Sequence, residues 1–403
     1  MPRGGWRKPV SDRRLSDLVS VGVLTRTFPP ALVDEVVASC GRTEQRNRSL
    51  PARAMAYFSI GMSLHSEGSY EDVLALLSDG LAWTSGEEPI VLPSKSAIFQ
   101  ARSRLGSEPL QVLFAKVAAP LARARTPGVW LGGRRLVAID GTCLDVADTA
   151  ENSAFFGRPG VNKGEQAAFP QARVVAVAEC GSHAIFDAAV GKYTTSENTL
   201  AGEVIDRLEP GMLLLADRGF CGFPLWSRAA RTGADLLWRA NSTMKPRLIE
   251  TLSDGSWLAE LRPSGGPGRR KVEPLTIRVI DYRIDDGRPN DEPYRLFTTI
   301  LDPKDVSALD LAAAYTQRWE IESAFDELKT HQRGPRTVLR SKSPDLVLQE
   351  IWGHLCCHYA IRTLMWEAAD QAGVDPDRVS FVAALRIARR SISVARDFSP
   401  SGV

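Results

Sequence analysis

Two aspartates and one polar helix stripe carry the chemistry legible in this sequence. Asp140 closes the apolar run Leu136-Val137-Ala138-Ile139 and precedes Gly141; Asp217 closes the run Met212 to Ala216 and precedes Arg218-Gly219. A carboxylate at a strand terminus projects from the rim of a sheet, where ligands of α/β proteins commonly bind. Carboxylates are ligands for hard divalent cations. Taken singly, each aspartate reads more readily as an ordinary turn or cap residue. The third element is the segment Tyr315 to Lys329, YTQRWEIESAFDELK. At 3.6 residues per turn, Tyr315, Arg318, Glu322 and Lys329 fall within an arc of about 60°. Ala314, Ile321, Ala324, Phe325 and Leu328 occupy a neighbouring arc that would pack on a sheet. Spacing alone leaves a solvent-facing stripe of helical salt bridges as an equal reading.

These residues need a scaffold, and the apolar periodicity outlines one. Leu50 to Leu64 and Ser69 to Leu81 have helical spacing. Ser94 is placed to cap a third helix, in which Ile98, Ala101 and Leu105 recur on one face. Lys95, Arg102 and Arg104 are assigned to the other faces, and such a basic helix suits a DNA reader as well as an ordinary amphipathic helix. Pro127-Gly128 and Gly132-Gly133 mark a linker. Strands follow at Leu136 to Ile139, Ala172 to Ala178 and His183 to Val190, the last two a hairpin around Gly181. Then come a helix from Ser196 to Leu208, a strand from Met212 to Ala216, a helix from Phe223 to Arg231 and a strand from Asp235 to Arg239. The order predicts an α/β layer on a mixed sheet. Residues 241–306 are rich in Pro, Gly and charge, with β-like runs at Leu275 to Tyr282 and Tyr294 to Leu301. They predict a β insertion set apart from the main sheet. A helix runs from Ser307 to about His331, with more helix at Leu346 to Ala368 and Phe381 to Ser391.

Composition excludes several classes. Hydrophobic residues make up 44% and charged residues 24% of the 403, an ordinary globular balance with no run long enough to span a bilayer. Met1 to Val10 is polar and basic, unlike a secretory signal, so a cytoplasmic, nucleoid-associated protein is expected. Six scattered cysteines form no zinc spacing and read as reduced thiols. The net charge of +2 conceals a gradient: +5 over residues 1–60, +3 over 333–403 and −6 between them. Basic ends around an acidic centre suit a DNA binder with a carboxylate site, although chance fluctuation would serve equally.

The spacing Tyr315, Arg318, Glu322, Lys329 resembles the YREK signature of DDE transposases of the insertion-sequence-four type. Ile139-Asp140-Gly141-Thr142 is similar to that family's first aspartate motif, and Ala216-Asp217-Arg218-Gly219-Phe220 to its second. The resemblance covers about residues 130–370. It implies a ribonuclease H-like mixed sheet with flanking helices, a β-rich insertion between the second aspartate and the glutamate, and a helical N-terminal domain.

The implied boundaries are a helical DNA-binding part over 1–125, a catalytic core over 126–240 and 307–370 interrupted by 241–306, and a helical tail over 371–403. The implied activity is cleavage and strand transfer at the terminal inverted repeats of an insertion sequence, with hairpin ends as an intermediate. Two Mg²⁺ or Mn²⁺ ions would be held by Asp140, Asp217 and Glu322, with Asp140 bridging. Tyr315, Arg318 and Lys329 would hold the DNA backbone, and Trp257 in the insertion could stack on a flipped base or pack in a small core. The partners would be end and target DNA and a second copy of the chain, with no membrane. A metal-dependent nuclease and an inactive, transposase-derived DNA binder remain as the alternatives.

Overall fold

In the computed structural model, residues 22–45, 50–74, 93–160, 167–241, 243–263, 272–283, 294–334 and 338–390 are described. The expectations for Met1 to Val10, for the helix beyond residue 74 and for residues from 391 onward lie outside them. Helix α1 (Pro30–Ser39) opens on a proline, which is pre-shaped for the first turn. Helix α2 (Ala52–Leu64) is buried at every residue except Arg53, because its sequence is apolar or small all round. Helix α3 (Lys95–Leu105) starts where Ser94 accepts from the Ala97 amide, and α4 (Glu108–Val117) follows. Helices α2, α3 and α4 pack against the long helix α10 (Pro344–Ala372), α1 packs on α2 and α4, and all share one apolar core with the sheet. The contact is close: a Cβ on Gly353 of α10 would lie 2.5 Å from the Ser59 carbonyl oxygen of α2.

The short strand β1 (Trp130–Leu131) leads into β2 (Arg134–Asp145), and α5 (Ala150–Phe156) precedes β3 (Gln171–Glu179) and β4 (Ile185–Lys192). Helix α6 (Glu197–Val204), β5 (Met212–Ala216), α7 (Phe223–Ala230) and β6 (Asp235–Arg239) complete the α/β layer. The strand order is β4-β3-β2-β5-β6; β2, β3 and β4 form an antiparallel meander, and β5 and β6 run parallel to β2. Three meander strands followed by two parallel crossovers are the ribonuclease H-like arrangement.

Two expectations are corrected here. Asp140 does not end its strand, because β2 continues to Asp145 through pairing with β3, from Val137↔Glu179 to Asp145↔Gln171. The apolar run ends early because pairing with β5 stops at Ile139↔Ala216, and the later residues of β2 lose that cover. The insertion is not a separate β unit either. Its strands β7 (Arg247–Thr251), β8 (Trp257–Leu261), β9 (Leu275–Tyr282) and β10 (Tyr294–Thr298) extend the main sheet. Strand β10 pairs antiparallel with β6, so the otherwise open edge of the α/β layer is covered.

Beyond the insertion, Ser307 caps α8 (Ala308–Tyr315) by accepting from the Asp310 amide. A tight 3₁₀ turn over Thr316–Arg318 leads into α9 (Trp319–Asp326), which relaxes into a π-helical turn over Glu327–Gln332. The segment is therefore not one uniform helix, and the ideal arc does not describe its side chains. Residues Pro376–Arg378 form a short turn before α11 (Phe381–Arg390). No helix among the described residues is long and apolar enough to cross a membrane. All six cysteines are free thiols.

Candidate active site

Register sets the first two acids side by side. Parallel pairing of β2 and β5 ends at Ile139↔Ala216, so Asp140 and Asp217 each follow the last paired residue of two adjacent strands. Asp140 is held rigidly by β3, opposite Ala176. Asp217 opens a turn in which its carbonyl accepts from the Phe220 amide at 3.1 Å. The Asn198 amide at the start of α6 braces that turn by donating to the Gly219 carbonyl at 2.9 Å.

Arg318 ties in the third acid. Its guanidinium donates to Glu322 Oε1 at 3.0 Å and to Asp140 Oδ2 at 3.4 Å. Burial lifts the Asp140 carboxyl to about 6; the Gly141 N–H and Arg318 oppose the rise, and Glu322 and Glu197 add to it. Glu197 comes this near because residue 141 has no side chain: a Cβ there would lie 2.8–2.9 Å from Glu197 atoms. Lys329 lies on the face of β2 that bears Asp140, its Nζ donating to Thr142 Oγ1 at 3.0 Å.

The remaining sequence-predicted residues divide. Tyr315 is buried rather than presented to a ligand, and its hydroxyl reaches the Ala216 carbonyl at 3.4 Å. Burial pushes its phenol well above the usual range, so it braces the end of β5 as a neutral group. Arg318 is also buried and already engaged by the acids, not open for a phosphate in this state. Arg102 is a correction of the same kind. It lies on the inward stripe of α3 with Ile98, Ala101 and Leu105. There it donates to Gln349 at 2.8 Å, Ser341 at 3.1 Å and the Tyr70 hydroxyl at 3.2 Å, so it cross-links α3 to the start of α10 and cannot touch DNA. Lys95 and Arg104 are exposed. Trp257 is half-buried on β8, with Arg295 over its ring and its Nε1 donating to Asp281 at 3.3 Å. Five strand spacings separate β8 from β2, about 24 Å, so Trp257 is remote from the acids.

Sequence reasoning missed Trp319, which is 60% exposed beside the acids with the Arg318 guanidinium 4.5 Å from its ring centre. It also missed a buried ion network behind α9. Glu327 accepts from Arg362 Nε at 2.8 Å and lies 3.1 Å from His358 Nε2 and 3.2 Å from His183 Nδ1. His358 and Arg362, four apart within the apolar run Leu346 to Ala368, were the available signal.

Comparison with known proteins shows the family. The family profile described as "Transposase DDE domain" matches residues 131–360, and that described as "Insertion element 4 transposase N-terminal" matches residues 18–115. The chain is 31% identical over 377 residues to transposase InsG for insertion sequence element IS4 of Escherichia coli (strain K12), covering 93% of this chain and 83% of that protein. It is 26% identical over 228 residues to InsZ of the same organism, covering 57% of this chain and 74% of that protein. Among solved structures, the piggyBac transposase synaptic complex with hairpin DNA aligns over 93% of this chain and 80% of that one, at 10% identity and a TM-score of 0.48, too slight a likeness to bear on the site.

Proposed function

The chain belongs to the DDE transposases of the insertion-sequence-four type, and from that premise we propose that it binds the terminal inverted repeats of an insertion sequence, cuts the strands there and joins the freed ends to target DNA. Enzymes of this family act on DNA and use divalent metal ions. One observation supports the site assignment: Asp140 and Asp217 follow the last paired residues of two adjacent strands, and Arg318 links Asp140 to Glu322. The donor set fits a hard dication. Asp140 is pushed up to about 6 by burial, aided by the charges of Glu322 and Glu197, and a cation would relieve that strain.

Asp140, Asp217 and Glu322 would hold the Mg²⁺ or Mn²⁺ ions. Bound ions of this kind activate an attacking hydroxyl and stabilise the departing oxygen of a phosphodiester. Around them the chain positions DNA. Lys329 exchanges its Thr142 partner for a backbone phosphate, where a charge-assisted bond is stronger. Arg318 becomes available to a phosphate once its carboxylates are occupied. Lys95 and Arg104 contribute phosphate contacts from the N-terminal helices, and two copies of the chain bring two ends together. For a hairpin intermediate a flipped base needs an aromatic surface; Trp257 in the insertion and Trp319 beside the acids are the candidates. Selective loss of the hairpin product in Trp257→Ala or Trp319→Ala, with nicking retained, would identify which.

The deciding experiment follows labelled end DNA in Mg²⁺ with the full chain and with Asp140→Asn, Asp217→Asn and Glu322→Gln. Each variant is expected to bind end DNA within about threefold of the parent, because affinity comes from phosphate contacts elsewhere. Each is expected to lose cleavage by at least about a thousandfold. Cleavage near the parental rate removes that residue from the site. Hydrolysis without joining would indicate a nuclease, and specific binding without cleavage by the parent an inactive binder.

A further inference from the structure

A second cluster of ligand-type side chains lies behind the helix that bears Glu322. Glu320 projects roughly 200° round α9 from Glu322. It meets His183 from the β3–β4 hairpin and Asp377 from the turn Pro376–Arg378, and the donor atoms of the three lie within 4.8 Å of one another. His183 Nε2 contacts Glu320 Oε2 directly and lies 3.3 Å from Asp377 Oδ1. In a tetrahedral zinc shell with bonds of about 2.0–2.1 Å, neighbouring donor atoms are about 3.3 Å apart.

The back of the imidazole is held as a metal-bound histidine requires. Nδ1 faces Glu327 Oε1 at 3.2 Å and also meets the Arg362 guanidinium, and Glu327 is fixed by Arg362 and His358. In the tautomer whose Nδ1–H donates to Glu327, that carboxylate orients the ring and leaves Nε2 as the ligand atom. Charge completes the case. Arg362 pairs directly with Glu327, while Glu320 and Asp377 both face the His183 imidazole, where a proton or a dication balances them. Burial opposes a charged His183, but hydrogen bonds to Glu320 and Glu327 outweigh it and lift the group to about 9. Burial, with the Glu320 charge adding, raises Asp377 to about 6. The Asp377 side chain is 37% exposed and gives access from water to the deeper His183 and Glu320.

We propose that His183, Glu320 and Asp377 form a second metal centre that takes one Zn²⁺, with water as the fourth ligand, and ties the Glu322 helix to the β3–β4 hairpin and the C-terminal turn. The imidazole donor distinguishes it from the all-carboxylate site, which suits Mg²⁺ or Mn²⁺. Binding displaces the His183 proton to solvent, and no other bond changes.

The test uses the full chain carrying Asp140→Asn, Asp217→Asn and Glu322→Gln, titrated calorimetrically with Zn²⁺ in excess Mg²⁺. One equivalent is expected. Adding Asp377→Asn, an isosteric change whose metal-free melting curve is recorded beside the parent's to check folding, is expected to weaken Zn²⁺ at least tenfold. Glu320→Gln should do the same, and Co²⁺ should give tetrahedral visible absorption that both changes abolish. No Zn²⁺ equivalent in the first variant would overturn the proposal. So would one that Asp377→Asn and Glu320→Gln leave unchanged, because the thiols or another group would then be the ligands.

Discussion

Arg318 donates to Glu322 one turn along its own segment at 3.0 Å, and the same guanidinium reaches Asp140 on the sheet at 3.4 Å. One cation thus bridges two of the three acids. Without metal or DNA it offsets the repulsion that would otherwise separate the helix from the sheet. Arg318→Ala is therefore expected to lower stability in metal-free buffer by about 1–3 kcal/mol, the range for leaving a partly buried charged group unpaired. In saturating Mg²⁺ the loss should shrink, because the ions replace the missing positive charge. Chemical denaturation of parent and variant with and without Mg²⁺ checks this. An equal loss in both buffers would mean that Arg318 acts through packing on Trp319 alone.

Lys329 tests strand holding. It reaches Thr142, two residues beyond Asp140 on the same strand face, so a phosphate bound there would lie beside the acids. A transposase must keep the cut end placed for a second attack, and an error of about 1 Å can cost a hundredfold in rate. Lys329→Ala is expected to slow joining by about 10–100-fold and the first nick by less than about threefold. Lys329→Arg should rescue poorly, since a planar fork does not replace a point charge. A time course of nicked, cleaved and joined products decides it; equal slowing of every step argues for a role in general binding or folding.

Gly353 tests the seam between the N-terminal helices and the catalytic part. A methyl group there would sit 2.5 Å from the Ser59 carbonyl oxygen, a backbone atom that cannot swing aside. Gly353→Ala should destabilise the protein by about 1–3 kcal/mol through overpacking, despite the better helix propensity of alanine. Urea unfolding measures it. A stabilised variant would show that α2 and α10 can move apart at little cost.

Asp187 on β4 gives a pH signature apart from the active site. Burial raises its carboxyl to about 6, with the Ala188 N–H and Arg207 opposing the rise. A folded-state pKa above the unfolded value of about 3.9 means that the folded chain holds the extra proton. Its contribution to stability is therefore complete below about pH 4 and is lost as pH rises through 6. Asp187→Asn, which cannot ionise, should be more stable than the parent by about 1–3 kcal/mol at pH 8, with the advantage fading towards pH 4. Parallel denaturation curves across that range test it, and an advantage independent of pH would discard the explanation.

Much of the site was legible because local pattern and catalytic need coincide. The apolar runs before Asp140 and Asp217 locate adjacent strands, and the caps at Ser94, Ser196 and Ser307 place three helix starts. Chain order was enough to indicate a mixed sheet, whereas Asp140, Asp217 and Glu322 stood out as a set only through the resemblance to a known family. The misplacements share one cause, since burial and pairing depend on distant partners. Arg102 is polar, yet it sits on the stripe of Ile98 and Leu105 and finds Gln349 and Ser341 more than two hundred residues away. The insertion strands look self-contained in sequence, yet β10 pairs with β6 because an open strand edge must be covered.

The sequence by itself determined which residues could bind cations and phosphates, since side-chain type and spacing are local properties. Only the tertiary structure decided which of them meet. Ending the β2–β5 pairing at Ile139↔Ala216 sets Asp140 beside Asp217, and the tight turn at Thr316–Arg318 directs Arg318 onto Asp140. It likewise buries Tyr315 against β5 and brings His183, Glu320 and Asp377 together from three separate segments. Contacts of that kind close loops of tens to hundreds of residues, and a one-dimensional pattern does not specify which partners the shared core will bring into reach.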